Sequence, residues 1–249
     1  MSSQGQSVPH RVVSREEWLT ARKAHLKNEK ALTHLRDLVA AERRALPWVK
    51  IDKEYVFDTA EGKGTLAQLF DGRSQLIVYH FMWRWDLGQG CSSCSFFADH
   101  VDGANIHLAN HDVTFVAISR GRLADLEAYR KRLGWRFKLI SSYGSDFNYD
   151  FHVSFTDEQM ASGKLYYNYQ WMNEKYGLNE LPGVSVFYKD ENGDIYHTYS
   201  SYARGGDILL GVYNYLDLTP KGRNENQIME WVKRHDEYEA NEPSSCCRS

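Results

Sequence analysis

Two apolar runs constrain the fold of this chain more strongly than any other feature. Gln75 to Met82 (QLIVYHFM) and Asp112 to Ser119 (DVTFVAIS) are apolar at successive positions, which is typical of parallel strands that helices cover on both faces. Between them, Cys94 to Leu108 carries apolar residues at helical spacing. This order predicts two neighbouring parallel strands joined by a crossover helix.

A long charged helix is predicted from Arg15 to Ala45, ahead of these strands. Ser14 and Glu17 have the capping-box spacing that marks a helix start, and Pro47 marks its end. The apolar stripe of this helix is broken and its heptads are imperfect. We therefore expect it to pack on the outside of the domain rather than to form a coiled coil.

The remaining segments continue the alternation of strands and helices. Asn192-Gly193 separates two β-rich runs and is a strong hairpin signal, because both residues of such a turn need positive φ. The aromatic region at about 143–180 is too long for an ordinary loop, so we expect it to carry its own helices or to act as a lid. Its aromatic rings are expected mainly to pack the insertion. The other predicted strands are Tyr55–Phe57, Phe137–Ile140, Gly183–Tyr188 and Ile195–Ser200, and the other predicted helices are Thr65–Phe70, Arg122–Leu133, Gly205–Leu216 and Glu225–Tyr238.

This pattern predicts an α/β fold with a mixed central sheet flanked by helices. The chain has 249 residues, which is long enough to bury a sizeable core. We expect an N-terminal helical extension at 1–47, one domain at 48–238 with the aromatic insertion inside it, and a disordered tail at 239–249.

Charge and hydropathy argue against several classes of function. The net charge is −3, which gives no basic excess for binding nucleic acid or an anionic membrane. No apolar run approaches the ~20 residues that span a bilayer. The N-terminal sequence MSSQGQSVPHRVV has no apolar signal-peptide core. We therefore expect a cytoplasmic protein with reduced thiols, and the oligomeric state stays open.

The chemistry is expected at Cys91 and Cys94, which form the motif C-S-S-C after the first buried strand. At the start of a helix, the macrodipole favours the thiolate of the outer cysteine. Cys91 is therefore the predicted nucleophile, and Cys94 is predicted to resolve the mixed disulfide. A strand before the motif and a helix after it are the context of a thioredoxin-like redox motif. Thioredoxin-like folds place a cis proline beside the cysteines, and Leu181-Pro182 before GVSVFY is predicted to be that substrate-binding element.

A structural or metal-binding cysteine pair is the alternative. A closed zinc site needs four ligands, but only Cys246 and Cys247 are available as a second pair, and they lie in the tail. Among the nearest histidines, His80 lies in a predicted strand and suits the core, and His100 should lie away from the buried face of its helix. We therefore predict no metal and no cofactor, with a protein or small-molecule thiol or disulfide as the partner.

The sequence resembles an uncharacterised family of thioredoxin-like proteins that are labelled predicted dithiol–disulfide oxidoreductases. The resemblance implies a thioredoxin fold with an added N-terminal helix, and it implies Cys91 and Cys94 as the redox pair, but it implies no substrate. The segment EGKGTLAQLFDGRSQLIVYHF also resembles the opening of peroxiredoxin-type proteins. The matching stretches are HRVVSREEWLTARK, ALPWVK, YVFD, LFDGRSQLIVYHFM, GCSSCSF, SSYGSDFNYDF, VFYKDENGDIYHTYSSYARG and YNYLDLTPKGR.

Two departures bear on the reaction. Thioredoxins carry W-C-G-P-C, whereas Ser92-Ser93 stands between the cysteines here, so the reduction potential does not carry over. Peroxiredoxins place Thr or Ser three residues before the attacking cysteine, whereas Gly88 stands there in this chain, although Arg84 is near in sequence. We therefore favour dithiol–disulfide exchange. The alternatives are a peroxiredoxin-like peroxidase that uses Cys91 and a non-catalytic binding module of the same fold.

Overall fold

The computed structural model describes residues 10–173 and 177–238, which form strands and helices in alternation. The strands are β1 (Val49–Lys50), β2 (Val56–Thr59), β3 (Gly62–Thr65), β4 (Gln75–His80), β5 (Trp83–Arg84), β6 (Gln89–Gly90), β7 (Val113–Ser119), β8 (Lys138–Ser141), β9 (Lys164–Tyr167), β10 (Gln170–Asn173), β11 (Gly183–Lys189) and β12 (Ile195–Tyr202). The helices are α1 (Arg15–Arg44), α2 (Leu66–Leu69), α3 (Ser92–Asn110), α4 (Leu123–Arg132), α5 (Phe147–Asp150), α6 (Asp157–Ser162) and α7 (Gly211–Leu216), with 3₁₀ helices at Ala203–Leu209 and His235–Glu237.

One mixed sheet organises the molecule, in the order β1-β12-β11-β4-β7-β8-β2-β3. The three central strands β4, β7 and β8 are parallel, and the outer pairs are antiparallel. Val78 of β4 lies opposite Val116 of β7, so the prediction that the two apolar runs are parallel neighbours is confirmed. The predicted α/β fold with a mixed central sheet flanked by helices is likewise confirmed.

Hydrophobic cores on both faces of the sheet explain why β4 is apolar along its length. Leu76 and Val78 pack into one core, which also contains Phe70 and Phe147. Tyr79, the next residue of β4, packs into the other core, under α3 and α4. Because successive side chains of a strand point to opposite faces, a strand between two cores carries an apolar residue at nearly every position.

Helix α1 begins and ends close to its predicted bounds. The Ser14 hydroxyl accepts from the Glu17 amide, and the Glu17 carboxylate accepts from the Ser14 amide, so the capping box is confirmed. No residue of the helix is buried, however, and the prediction that it packs on the outside of the domain is wrong. Its broken apolar stripe gives it no continuous face to bury. Near its C-terminal end, the Arg43 guanidinium lies 4.8 Å from the Tyr199 ring centroid.

The insertion carries its own helices, α5 and α6, as one of the two predictions for it stated. It also contains a hairpin of β9 and β10 that we did not predict. The turn of this hairpin is Asn168-Tyr169, and both residues have positive φ. Without glycine, this turn lacks the usual sequence signal. The side chains of Leu165 and Tyr167 are buried, which agrees with packing as the role of the apolar residues of β9.

The hairpin of β11 and β12 is confirmed, but its predicted turn is wrong. Gly193 has positive φ and Asn192 does not, so the two residues do not form a two-residue turn. The Asp190 carboxylate accepts from the amides of Asn192 and Asp194. These two hydrogen bonds stabilise a longer loop. The Asp190 side chain accepts from backbone amides that would pair with the opposite strand in a tight turn.

The last two predicted helices differ from the structure. The segment from Gly205 to Leu216 is divided into a 3₁₀ helix and α7. The stretch 225–238, which we call the C-terminal segment, holds only a short 3₁₀ helix, so the helix predicted there is wrong. Met229 has positive φ, and the Glu225 carboxylate accepts from its amide, which replaces a helical hydrogen bond. The predicted disordered tail, with Cys246 and Cys247, lies outside the described residues.

Candidate active site

The first turn of α3 places the two predicted redox cysteines together. Cys91 is the residue before the helix: its amide donates to the Met82 carbonyl at 3.1 Å, and its carbonyl accepts from the Ser95 amide at 2.9 Å. Cys94 lies in the first turn and is buried, whereas Cys91 is partly exposed. Both residues are free thiols. The strand order thus brings the pair to the end of β4, at the centre of the sheet.

The surroundings change the pKa values of the two thiols in opposite directions. The hydrogen bond from the Cys94 thiol lowers the pKa of Cys91 to about 6, and the amides of Cys94 and Ser93 and the charge of Arg84 act in the same direction against the effect of burial. Burial raises the pKa of Cys94 well above its ordinary value, and its hydrogen bond to Cys91 adds to this. At neutral pH the outer sulfur is the thiolate and the inner sulfur keeps its proton.

Two further donors lie at the inner sulfur. The Tyr79 hydroxyl and the Met82 backbone amide both hydrogen-bond to Cys94 and oppose the rise in its pKa. Burial raises the pKa of Tyr79 itself well above its ordinary value, so this hydroxyl stays protonated and can donate. These donors stabilise a thiolate on Cys94 when one forms.

A buried polar network holds the backbone on both sides of Cys91. The Arg234 guanidinium donates to the Gly90 carbonyl at 2.6 Å and to the Tyr129 hydroxyl at 2.8 Å. The Ser95 hydroxyl lies 2.8 Å from the Tyr129 hydroxyl and 2.8 Å from the Cys91 carbonyl. The Gly90 and Cys91 carbonyls therefore accept hydrogen bonds from other groups. The amides in the first turn of α3 are the backbone groups that face the Cys91 sulfur.

Glycine is required immediately before the nucleophile. A Cβ at Gly90 would lie 2.6 Å from ring atoms of Phe81 and Tyr129. No side chain fits without moving these buried rings. Close packing under the cysteine loop, residues 81–91, thus explains why Gly90 stands here instead of the Trp of the thioredoxin motif.

Pro182 lies beside the cysteine pair, but its predicted isomer is wrong. It lines a cavity of about 80 Å³ together with Cys91 and Cys94. The Leu181-Pro182 peptide is trans, because the described residues contain no cis bond. The aromatic insertion holds the backbone on both sides of this peptide: the Leu181 amide donates to the Val153 carbonyl, and the Pro182 carbonyl accepts from the Tyr167 hydroxyl at 2.6 Å.

A buried carboxylate completes the surroundings of the cysteine loop. Glu180 is 3% exposed, and it accepts from the Trp83 amide at 3.0 Å and the Trp85 indole at 3.3 Å. Its nearest cation is Arg120, whose Nη1 lies 3.7 Å from the carboxylate. Burial raises the pKa of Glu180. The peptide that joins Met82 to Trp83 thus bonds to Cys91 on one side and to Glu180 on the other.

No local pattern in the sequence indicates these supporting residues. Arg234 lies in a segment that was predicted to be helical, 144 residues from the carbonyl that it binds. Tyr129 is one of 16 tyrosines, and nothing in its neighbourhood distinguishes it. The contact between Arg234 and the Gly90 carbonyl joins distant parts of the chain, so no local sequence pattern reveals it.

Within the described residues, the histidines form no metal site with Cys91 and Cys94. His80 is buried and lies 2.8 Å from the Ser185 hydroxyl, and burial lowers its pKa to about 3. The ring of His100 contacts the Phe96 carbonyl and accepts from the Val212 amide. Across residues 10–173 and 177–238, no three His, Cys, Asp or Glu side chains cluster to hold a metal ion. In the same residues, no helix is both long and apolar enough to cross a bilayer.

Several solved structures of peroxiredoxins are similar to this chain, whereas no curated protein matches it. Peroxiredoxin Q of Xanthomonas campestris has 10% sequence identity and a TM-score of 0.44, covering 68% of this chain and 96% of that one. Peroxidoxin BcpB from Mycobacterium tuberculosis has 12% identity and a TM-score of 0.39, covering 69% and 97%. The mitochondrial 2-Cys peroxiredoxin from Plasmodium falciparum has 12% identity and a TM-score of 0.35, covering 68% and 92%.

A protein family also matches the sequence itself. Its description reads "Bacterial protein of unknown function (DUF899)", and the match extends over residues 7–238. This range includes α1, the sheet, both cysteines of the motif and the C-terminal segment. The chain therefore belongs to the DUF899 family.

Proposed function

We propose that the protein is a thioredoxin-like dithiol–disulfide oxidoreductase with Cys91 and Cys94 as its redox pair. The observation that carries the proposal is the position of the two free thiols in one helical turn, with Cys91 partly exposed at the start of α3 and Cys94 buried behind it. This placement shifts the two thiol pKa values in opposite directions. A low pKa supplies thiolate at neutral pH, and a partly exposed position lets it attack. A buried, protonated partner one turn further along the helix is suited to resolve the product.

The reaction proceeds in two exchanges. The Cys91 thiolate attacks one sulfur of a substrate disulfide, the substrate S–S bond breaks, and the leaving thiolate takes a proton from solvent. Cys94 then loses its proton to solvent and attacks the Cys91 sulfur, which releases the second substrate thiol. Two electrons pass from the enzyme dithiol to the substrate disulfide. A reduced thiol partner returns them in a later exchange.

Residues around the pair have distinct roles in this proposal. The Tyr79 hydroxyl and the Met82 amide stabilise the Cys94 thiolate during resolution. We assign substrate binding to the Pro182 ring, which lines the cavity that contains both cysteines, and to the Leu181 carbonyl, because the Leu181 amide and the Pro182 carbonyl already bond to the insertion. The exchange requires no metal or cofactor. We place it in the cytoplasm, where thiols stay reduced, and assign it to residues 48–238, to which α1 is an addition.

Cysteine variants test the proposal. Cys91→Ser should abolish reduction of a disulfide substrate, because no nucleophile remains. Cys94→Ser should permit one attack and accumulate a mixed disulfide on Cys91, seen as an added mass in intact-protein mass spectrometry. A Cys246→Ser and Cys247→Ser double variant is the matched control and should keep full turnover. Turnover that survives Cys91→Ser would refute the proposal.

The pH dependence of alkylation tests the electrostatics separately. The rate of iodoacetamide labelling at Cys91 should rise with pH and level off above its pKa of about 6, because only the thiolate reacts. A rate that keeps rising towards the ordinary thiol pKa of about 8.5 would contradict the assignment. It would instead favour a binding module with incidental cysteines.

A further inference from the structure

A large groove adjoins the small cavity above the cysteines. The groove has a volume of about 780 Å³, and its wall includes Ser201, Tyr202 and Ala203. The same three residues line the cavity of about 80 Å³ that contains the cysteines. Sites for small organic ligands usually have about 300–1,000 Å³. The cysteine cavity admits only the tip of a substrate, and the adjoining groove offers the space to hold the remainder.

One side of the groove is the outer edge of β12. Strand β1 pairs with β12 only through Val49–His197 and Lys50–Tyr196, but β12 continues to Tyr202. In the part of the chain that the structure describes, no strand pairs with this edge beyond His197. Thr198 forms a bulge opposite β11, and the stretch beyond it, from Tyr199 to Tyr202, is about 14 Å long at 3.4 Å per residue. An unpaired edge of this kind is a template for an added strand.

A tyrosine from the insertion lies on this edge in an unusual conformation. The Tyr169 hydroxyl donates to the Ser200 carbonyl at 2.8 Å, in the position where an added strand would place an amide. Tyr169 has a φ of 63° and is 62% exposed. The turn of the β9–β10 hairpin requires this left-handed backbone, and the same turn brings the Tyr169 hydroxyl to β12. The Tyr199 and Ser200 carbonyls of this edge are thus contacted by side chains, the His197 ring at 3.1 Å and the Tyr169 hydroxyl, rather than by a strand.

We propose that the groove binds an extended polypeptide segment, which pairs with the edge of β12 and brings its own cysteine to Cys91. This inference rests on the proposed function and names its substrate class as a protein disulfide. Backbone pairing provides affinity without sequence preference, and the aromatic rings of Tyr169 and Tyr199 contact the side chains. The incoming strand displaces the Tyr169 hydroxyl. Its end reaches the cysteine cavity, because the groove and the cavity share one wall.

Two matched disulfides test the inference on the full-length chain with its tail cysteines changed to serine. One is a peptide of about ten residues, long enough for strand pairing, with its single cysteine joined to thionitrobenzoate. The other is N-acetylcysteine methylamide with the same disulfide. Cys91 attacks the cysteine sulfur, the S–S bond breaks, and thionitrobenzoate leaves and is measured by absorbance. The peptide should react about tenfold faster, which corresponds to about 1.4 kcal/mol.

Variants of the groove should change only the peptide reaction. Tyr199→Ala should slow the peptide about fivefold, and Tyr169→Phe should accelerate it about twofold because no hydroxyl has to be displaced. Neither variant should alter the rate with the single-residue disulfide. Tyr215→Ala is the control, since Tyr215 is 73% exposed and does not line the groove. N-methylation along the peptide should slow the reaction at alternate residues, as strand pairing requires.

The outcomes separate the two proposals. If neither disulfide reacts with Cys91, the proposed function fails. If both react at the same rate, or if N-methylation has no two-residue period, the redox function stands and the peptide groove is refuted. If the protein sediments as a dimer, and if the peptide reaction slows as the protein concentration rises, a second copy of the chain occupies the groove. This result would also overturn the inference.

Discussion

The first turn of α3 and the C-terminal segment both reach the cysteine loop, yet they are built in different ways. Helix α3 satisfies its backbone internally and buries Phe96, Phe97 and Val101 in the core. The C-terminal segment contains a single 3₁₀ turn, and many of its hydrogen bonds involve charged side chains, among them Glu225 and Arg234. Apolar packing positions the cysteines, and long-range polar contacts fix the carbonyls around them.

The largest effect on stability is expected from Arg234→Ala. The change removes the guanidinium from the Tyr129 hydroxyl and from the Gly90 carbonyl, which keeps the Tyr129 hydroxyl as a donor at 3.4 Å. The loss should lower the free energy of unfolding by about 3 kcal/mol. The matched control is Arg132→Ala, because Arg132 binds Asp236 of the same segment at the surface. This exposed pair should contribute less than about 1 kcal/mol. Urea unfolding measures both, and equal losses would show that Arg234 is an ordinary surface anchor.

The packing beneath Cys91 is tested by Gly90→Ala. The new methyl group would lie 2.6 Å from the rings of Phe81 and Tyr129, and overpacking of this kind should cost about 2 kcal/mol. Gly103→Ala is the control, since a Cβ there meets no neighbouring atom and Gly103 lies within α3. It should stabilise the protein by up to about 1 kcal/mol. Equal thermal stability of the two variants would contradict the close packing at Gly90.

A smaller effect is expected at the start of the C-terminal segment. The Glu225 carboxylate accepts from the Tyr213 hydroxyl, the Met229 amide and the Trp231 indole. Glu225→Gln keeps the shape but removes the charge, which should lower the free energy of unfolding by about 1 kcal/mol. The exposed residue Glu191 provides the control, and Glu191→Gln should change the stability by less than about 0.5 kcal/mol. If both changes prove neutral, Glu225 does not hold the segment.

The smallest effect is expected on α1, which buries none of its residues. Leu35 is 54% exposed, so Leu35→Ala should change the free energy of unfolding by less than about 0.5 kcal/mol. Chemical denaturation at low protein concentration measures this. A loss of 2 kcal/mol or more, typical of buried leucines, would show that the stripe is covered in solution.

The sequence predicts the central part of the fold because local periodicity and burial agree there. The parallel strands β4 and β7 and the helix α3 follow from apolar runs on both faces and from helical spacing. The capping box at Ser14 and the hairpin of β11 and β12 follow from short local signals. Neither residue of the turn Asn168-Tyr169 is glycine, so the sequence does not predict that hairpin. The spacing of apolar residues predicts a helix in the C-terminal segment, but polar contacts outweigh this weak periodicity.

The candidate site is predictable only in part, for the same reason. The motif indicates Cys91 and Cys94. Pro182 stands directly before β11, and this position indicates that it is their neighbour. The trans peptide at Pro182 depends on contacts with the insertion, which sequence spacing does not reveal. Arg234 and Tyr129 reach the site through long-range contacts that have no local pattern. Residues that react are therefore visible in the sequence, whereas residues that hold them are visible only in the fold.

A rapid-mixing experiment tests the central claim most directly. The reduced protein is mixed in a stopped-flow instrument with either a protein disulfide or hydrogen peroxide, and oxidation of the Cys91–Cys94 pair is followed by tryptophan fluorescence. Our account predicts that the disulfide oxidises the pair through a transient mixed disulfide on Cys91 and that peroxide reacts no faster. Oxidation of Cys91 by peroxide at a rate orders of magnitude above that with the disulfide would contradict it and identify a thiol peroxidase.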